Sequence, residues 1–359
     1  MAKQVLVVGA GIVGASIAWH LAKAGCRVTV IDAGDGGGLA TAHSFAWINA
    51  TWGNPERYFH FRRRSMAGWR RLEQEAPGVS VDWCGGLIWD MPADQLEAYA
   101  EEHGRWGYGL RRVGRDEALH IEPNLVSPPG LALHIAEEGM VEPVAAARAL
   151  LADAVASGAL LVAATRIREL LERGGKIAGA VAEDGTILEA EETVVAAGVG
   201  TARLLATVGA RLRMDTPPGL IMHSTVADRR LLNGMVMAPD LHLRQTREGR
   251  LIAGADFAGA DPKGRENEMA RDLLGKLKAA LRGTETLEVD FFTVGHRPTP
   301  ADGFPAIGRV GGFEGLYVTV LHSGVTLAPI VGELAAREIA EGERDGDLEP
   351  YDPGRAELV

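Results

Sequence analysis

Hydrophobic positions in this chain fall into short unbroken runs that alternate with longer stretches of helical period. Val5 to Val8 is wholly apolar, which suits a strand buried on both faces. Gly9, Gly11 and Gly14 follow it. Ile12, Ala15, Ala18, Leu21 and Ala22 then recur at helical spacing, and Gly25 stands where a helix can end in left-handed backbone. A second apolar run, Val28 to Ile31, closes on Asp32. The alternation returns later. "EPVAAARALLADAVASGALLVAATRIREL" predicts a helix opened by a proline, a glycine stop and a strand. Thr193 to Gly198, "TVVAAG", reads as a buried strand running into small residues, after a hairpin turning at Asp184-Gly185. Leu316 to Val320 reads as another strand, followed by a polar turn and a helix starting near Thr326 to Pro329.

Other stretches carry a different pattern. "LIMHSTVAD" and "LHLRQTREGRLIAGAD" read as strands, the second pair turning at Glu248-Gly249. "PERYFHFRRRSMAGWRRLEQEAPG" predicts a helix with Pro55 in its first turn and a buried stripe of Tyr58, Phe61, Met66, Trp69 and Leu72. Its run Arg62-Arg63-Arg64 is expected on a solvated face.

Composition narrows the class. The chain has 359 residues, 47% of them hydrophobic and 24% charged, enough for a large core and two domains. A formal net charge of −11 repels phosphates and argues against a nucleic-acid partner. Two cysteines, Cys26 and Cys84, exclude a disulfide framework and a zinc site built on cysteine pairs. No metal is expected. Low cysteine usage fits the reducing cytoplasm. The apolar start "VLVVGAGIVGASIAW" imitates a signal peptide, but its glycine spacing argues for strand, turn and helix. No stretch approaches the roughly 20 apolar residues that span a bilayer.

The first motif has a mechanical reading. In G-x-G-x-x-G, Gly9 permits the tight turn, Gly11 lets backbone approach a pyrophosphate, and Gly14 lets helix and strand close on each other. The helix start offers N–H groups and partial positive charge to phosphate. Asp32, about twenty residues beyond, can accept hydrogen bonds from an adenosine ribose. An acid there favours FAD or NAD over NADP. The motif alone does not separate FAD from NAD.

Taken in order, "VVGAGIVGASIAWHLAKAGCRVTVID", "SFAWINA", "TVVAAG", "GHRPTPADGFPAIG" and "GLYVTVLHSGVTLAP" resemble the D-amino acid oxidase-like family of FAD enzymes, which includes glycine oxidase and sarcosine oxidase. The resemblance implies an α/β fold: a Rossmann-like FAD-binding domain interleaved with an antiparallel-sheet substrate domain. Residues 1–76, 140–210 and 296–359 would form the first, and residues 77–139 and 211–295 the second. It implies FAD as cofactor and oxidation of the C–N bond of a small amino acid or amine. Substrate hydride would pass to flavin N5, and the resulting imine would hydrolyse. The electron acceptor, O2 or a quinone-type carrier, stays open. So do a homo-oligomer and partner subunits, since some family members are subunits of larger dehydrogenases.

The resemblance also assigns residues. Arg297, in "GHRPTP", would bind the substrate carboxylate, for which a guanidinium gives a two-point fork; a structural salt bridge is the alternative. His242 and Arg244 alternate on one strand face and would line the pocket if that face meets the flavin. His242 falls where relatives often carry a tyrosine. The alternative substrate is a secondary amino acid such as sarcosine or an iminodiacetate-like or opine-like compound, and Arg244 could meet a second carboxylate. His223 is a weaker candidate, and the direction of His296 is open. His43 and Ser44 belong to a loop passing the flavin ring. Some relatives carry a covalent flavin link at a histidine near His43, while a non-covalent contact is the main expectation. Ile167 would contact the adenine through its backbone. Gly198 would close the second nucleotide segment. His322, Ser323 and Gly324, with Val325 and Thr326 behind them, would present N–H groups to the flavin pyrimidine edge. Trp47 could wall the pocket.

Overall fold

The structure is a computed structural model and describes residues 2–51, 53–255, 261–356 and 358. Its central sheet has six strands in the order Ala306–Arg309, Leu316–Val320, Glu192–Val195, Gln4–Val8, Arg27–Ile31, Leu160–Val162. All pairings are parallel except that of Ala306–Arg309 with Leu316–Val320. The central residues of these strands are buried on both faces: helices pack on one, and on the other Leu6, Val8, Ile31 and Val195 pack against Ile167, Leu170, Ile177 and Ala180. Helix Ile12–Lys23 ends where expected: Gly25 has φ +80° and Gly25 N–H donates to Ala22 O. That helix packs against Pro143–Ala156 and Gly324–Glu341. Trp19 Nε1 donates to Asp153 Oδ2 at 2.6 Å, fastening the first of these contacts.

The second large sheet has eight strands: Val289–His296, Pro218–Val226, Arg250–Gly254, Leu241–Gln245, Met235–Ala238, Gly86–Ile88, Ala132–Ile135, Leu110–Val113. It is antiparallel as anticipated, except that Met235–Ala238 and Gly86–Ile88 run parallel. Helix Glu266–Ala280 backs it. Asp256, the last residue of the stretch read from Leu241 onward, lies outside the described residues. The predicted hairpin at Asp184-Gly185 joins Lys176–Ala182 to Ile187–Glu189.

Helix Glu56–Glu75 buries every member of its predicted stripe, and Arg62 with them. The assignment of Arg62 to a solvated face is therefore corrected. Tyr58, Arg62 and Met66 are four residues apart, so Arg62 shares the inward side. Arg63 and Arg64 do reach outward, to Glu137 and to Asp345 and Asp347. The last helix also differs from expectation. It starts at Gly324, two residues earlier than anticipated, because Ser323 takes left-handed backbone (φ 60°) and turns the chain sharply. Pro329 inside it cannot donate to Val325 O; Trp69 Nε1 donates there instead at 2.9 Å, and Ser65 Oγ donates to Thr326 O at 2.7 Å. Two helices distant in sequence are thereby locked together.

Candidate active site

A cavity of about 830 Å³ begins at the first motif and ends under the eight-stranded sheet. At one end the turn after Gln4–Val8 is held so closely that a Cβ on Gly14 would lie 2.0 Å from Gly9 O. Only glycine allows that helix and turn to meet. Asp32 braces the same turn: Oδ2 accepts from Ala10 N–H at 2.7 Å, and Oδ1 from Gly34 N–H at 2.8 Å. Each carboxylate oxygen has a second lone pair to offer a ribose. Nearby, Arg203 donates to Ile167 O at 2.8 Å and fixes the start of strand Ile167–Arg173 at the cavity wall.

Midway, His43 and Ser44 line the wall, and Ser44 Oγ accepts from Ala46 N–H at 3.0 Å. The chain then forms Trp47–Ile48, pairing with Gly139–Val141. Behind it sits Glu138, fully buried, accepting from Trp47 Nε1 at 2.8 Å and from the hydroxyls of Thr51 and Tyr108. Burial pushes Glu138 up to about 7, against the pull of those hydrogen bonds and of Arg62.

The far end is electropositive. Arg297 rises at the end of Val289–His296, and its Nη1 reaches Pro218 O at 3.4 Å. Its guanidinium lies on Gly219, where a Cβ would come within 2.4 Å of Nη2. Burial lowers His322 to about 4, helped by the charges of Arg62 and Arg297. His322 is therefore neutral at pH 7. Its Nδ1 pairs with Ser323 Oγ at 3.0 Å. The first turn of helix Gly324–Glu341 leaves N–H groups without intrahelical partners at the same wall. On the sheet whose edge strand leads to Arg297, His242 Nε2 lies 3.2 Å from Asp90 Oδ2, both mostly buried.

Of the residues selected from sequence, Gly9, Gly11, Gly14, Asp32, His43, Ser44, Ile167, Gly198, His242, His296, Arg297 and His322 through Thr326 all line this cavity. Arg244 does not. It is 2% exposed and ion-paired to Glu142 at 3.2 Å, beside Met140. His223 stacks on Phe291 at 4.3 Å, also away from the wall. His296 is exposed at the rim. Sequence reasoning missed Arg62 and Asn49, which both line the cavity. The signal for Arg62 was its four-residue spacing from Tyr58 and Met66.

The glycine-lined turn, the braced acid and the long cavity fit a dinucleotide whose other end carries a flat redox ring. Comparisons with known proteins agree. The sequence profile described as "DAO: FAD dependent oxidoreductase" matches residues 4–338. A glycine oxidase of Bacillus licheniformis is 29% identical over 92% of this chain and 91% of its own length. One of the subunits of an opine oxidase from Rhizobium meliloti is 24% identical over 97% of this chain and 96% of its own. The crystal structure of iminodiacetate oxidase from Chelativorans sp. BNC1 superposes with a TM-score of 0.83, at 25% identity, covering 98% of this chain and 99% of that one. The chain belongs to the DAO family of FAD-dependent oxidoreductases. Among the described residues, no helix is long and apolar enough to cross a membrane.

Proposed function

From that membership, we propose that this FAD-dependent amino acid oxidoreductase acts on a small amino acid whose carboxylate docks on Arg297. The observation that carries the reading is the guanidinium of Arg297, seated on Gly219 in the same cavity as the dinucleotide turn. Residues from Gly9 to Asp32 would hold the adenosine and pyrophosphate, and residues 322–326 the pyrimidine end of FAD. When bound, the flavin would supply a two-electron acceptor for hydride from the substrate α-carbon. Arg297 fixes the substrate by a bidentate pair, so that its α-carbon is presented in one orientation. The nitrogen lone pair assists departure of the hydride, a nitrogen proton passes to solvent, and water cleaves the imine to a keto acid and an amine. Neutral His322 adds no charge beside Arg62 and Arg297 and can donate or accept a hydrogen bond.

An N-substituted substrate is the second reading. It is favoured by His242 on the cavity wall, whose Nε2 lies 3.2 Å from Asp90 Oδ2 and whose ring offers a polar contact to a substituent on nitrogen, and by the names of the opine and iminodiacetate oxidases among the relatives. A flavin-carrying component of a larger enzyme would accommodate the same chemistry, since the opine oxidase relative is itself named as one subunit among others. Anaerobic mixing of the holoprotein with glycine, D-amino acids, sarcosine, iminodiacetate and an opine tests these together. Bleaching of the flavin band by one of them supports the proposal and ranks the readings. A flavin that none of them reduces contradicts it.

A further inference from the structure

Arg62 is 5% exposed and lines the cavity. Its three donated hydrogen bonds all go to neutral oxygens: Nε to Asn49 O at 3.0 Å, Nη2 to Asn49 Oδ1 at 2.7 Å, and Nη1 to Ser323 Oγ at 2.8 Å. Among the described residues no carboxylate comes within ion-pair reach of it. Its chain neighbours differ: Arg63 pairs with Glu137, and Arg64 with Asp345 and Asp347. Arg244, equally buried but away from the cavity, has Glu142. A buried guanidinium without a counter-charge is expensive. A guanidinium also carries five N–H donors, and three of those of Arg62 are used.

The surroundings say where the missing negative charge belongs. Ser323, which Arg62 grips, is the residue before the first turn of helix Gly324–Glu341, so the helix's positive end and the guanidinium lie at one wall. His322 beside them feels both Arg62 and Arg297 and is lowered to about 4, chiefly by burial. Glu138, within the field of Arg62, spends its oxygens on Trp47, Thr51 and Tyr108. Arg297 stands on the sheet side of the cavity, whereas Arg62 comes from the helix side.

We propose that Arg62 is the counter-charge for the flavin's pyrimidine end and governs how readily the bound cofactor accumulates negative charge. This rests on the FAD reading of the cavity. Asn49 and Ser323 hold the guanidinium in place, and the first turn of the last helix adds to its field. The residue positions and polarises the cofactor; it has no part in holding the substrate carboxylate.

The test uses the holoprotein and needs no amino acid substrate. The bound flavin's midpoint potential and its affinity for sulfite, whose addition places negative charge on the ring, are measured for wild type, Arg62→Gln and Arg62→Lys. Removing a unit charge at short range in a partly screened site predicts about tenfold to a hundredfold weaker sulfite binding for Arg62→Gln, with a lowered potential. Arg62→Lys should stay within about threefold of wild type. Sulfite affinity and potential unchanged in a flavin-loaded Arg62→Gln would overturn the proposal. So would a weakened binding of simple carboxylates with both flavin readings unchanged, which would make Arg62 a substrate ligand. If Arg62→Gln releases FAD, the lysine variant decides: retained FAD with near-native sulfite affinity supports the charge role, and loss in both variants overturns it. A wild-type protein that carries no FAD would sink the proposed function as well, whereas a charge-insensitive flavin sinks this inference alone.

Discussion

The two ends of the cavity are built on opposite principles. At the end proposed for the adenosine, backbone would do the binding: one continuous segment from Gly9 to Asp32 supplies the turn, the helix start and the acid that braces them. At the end proposed for the flavin, charge is assembled from Arg62, Arg297 and the loop before the last helix, parts separated by most of the chain. The first design tolerates almost no added volume. The second depends on where side chains are aimed, and added volume acts there by displacing a side chain, as at Gly219 beneath Arg297. Substitutions at the first end should therefore empty the site, and substitutions at the second should leave the cofactor bound while changing what it does.

The largest effect is expected from Gly14→Val, whose branched side chain would drive into Gly9 O. It should lower stability by about 4 kcal/mol or more and yield protein without flavin absorbance, as a melt and a spectrum will report. Asp32→Ala comes next. It removes two carboxylate–N–H bonds, each worth about 1.5–3 kcal/mol, so FAD binding, followed by fluorescence, should weaken by about a hundredfold or more. At the other end, Gly219→Ala should push Arg297 aside. An increase in KM of about tenfold is expected with FAD affinity unchanged. Equal losses of FAD and of substrate affinity in that variant would erase the contrast between the two ends.

A separate effect, on stability alone, concerns pH. The Glu138 carboxyl lies at about 7 in the fold, against an ordinary 4.5. Folded protein therefore holds that proton where unfolded chain releases it, and stability falls as pH rises between the two values. Wild type measured against Glu138→Gln should keep its full relative stability below about 4.5 and lose it as pH passes about 7. Thermal melts across that window check the sign, and a relative stability independent of pH would place the ionisation elsewhere.

Much of the fold was legible because its signals are local. The strand, glycines, helix and acid of the first motif are contiguous, and the helix stop at Gly25 and the hairpin at Asp184-Gly185 each follow from one residue's backbone freedom. Arg297 was legible through its resemblance-bearing neighbours, and it lines the cavity. Arg62 was not. In a run of three arginines it looks solvated; its four-residue spacing from Tyr58 and Met66 points inward, and its bonds to Ser323 and Asn49 show where it goes. Arg244 shows the converse. It shares a strand face with His242, but two residues along a strand carry a side chain roughly 7 Å further, past the cavity and onto Glu142. The parallel pairing of Met235–Ala238 with Gly86–Ile88 joins segments far apart in sequence, and no local pattern encodes it.

The central claim is that Arg297 anchors the substrate by its carboxylate while the flavin is held by other residues. The most direct measurement is anaerobic flavin reduction by the best amino acid of the panel, titrated in wild type and in Arg297→Ala. Loss of a buried, hydrogen-bonded charge pair predicts a substrate dissociation constant raised by about a hundredfold or more, with FAD content and spectrum unchanged. Half-saturation at the same substrate concentration in both proteins would contradict the account.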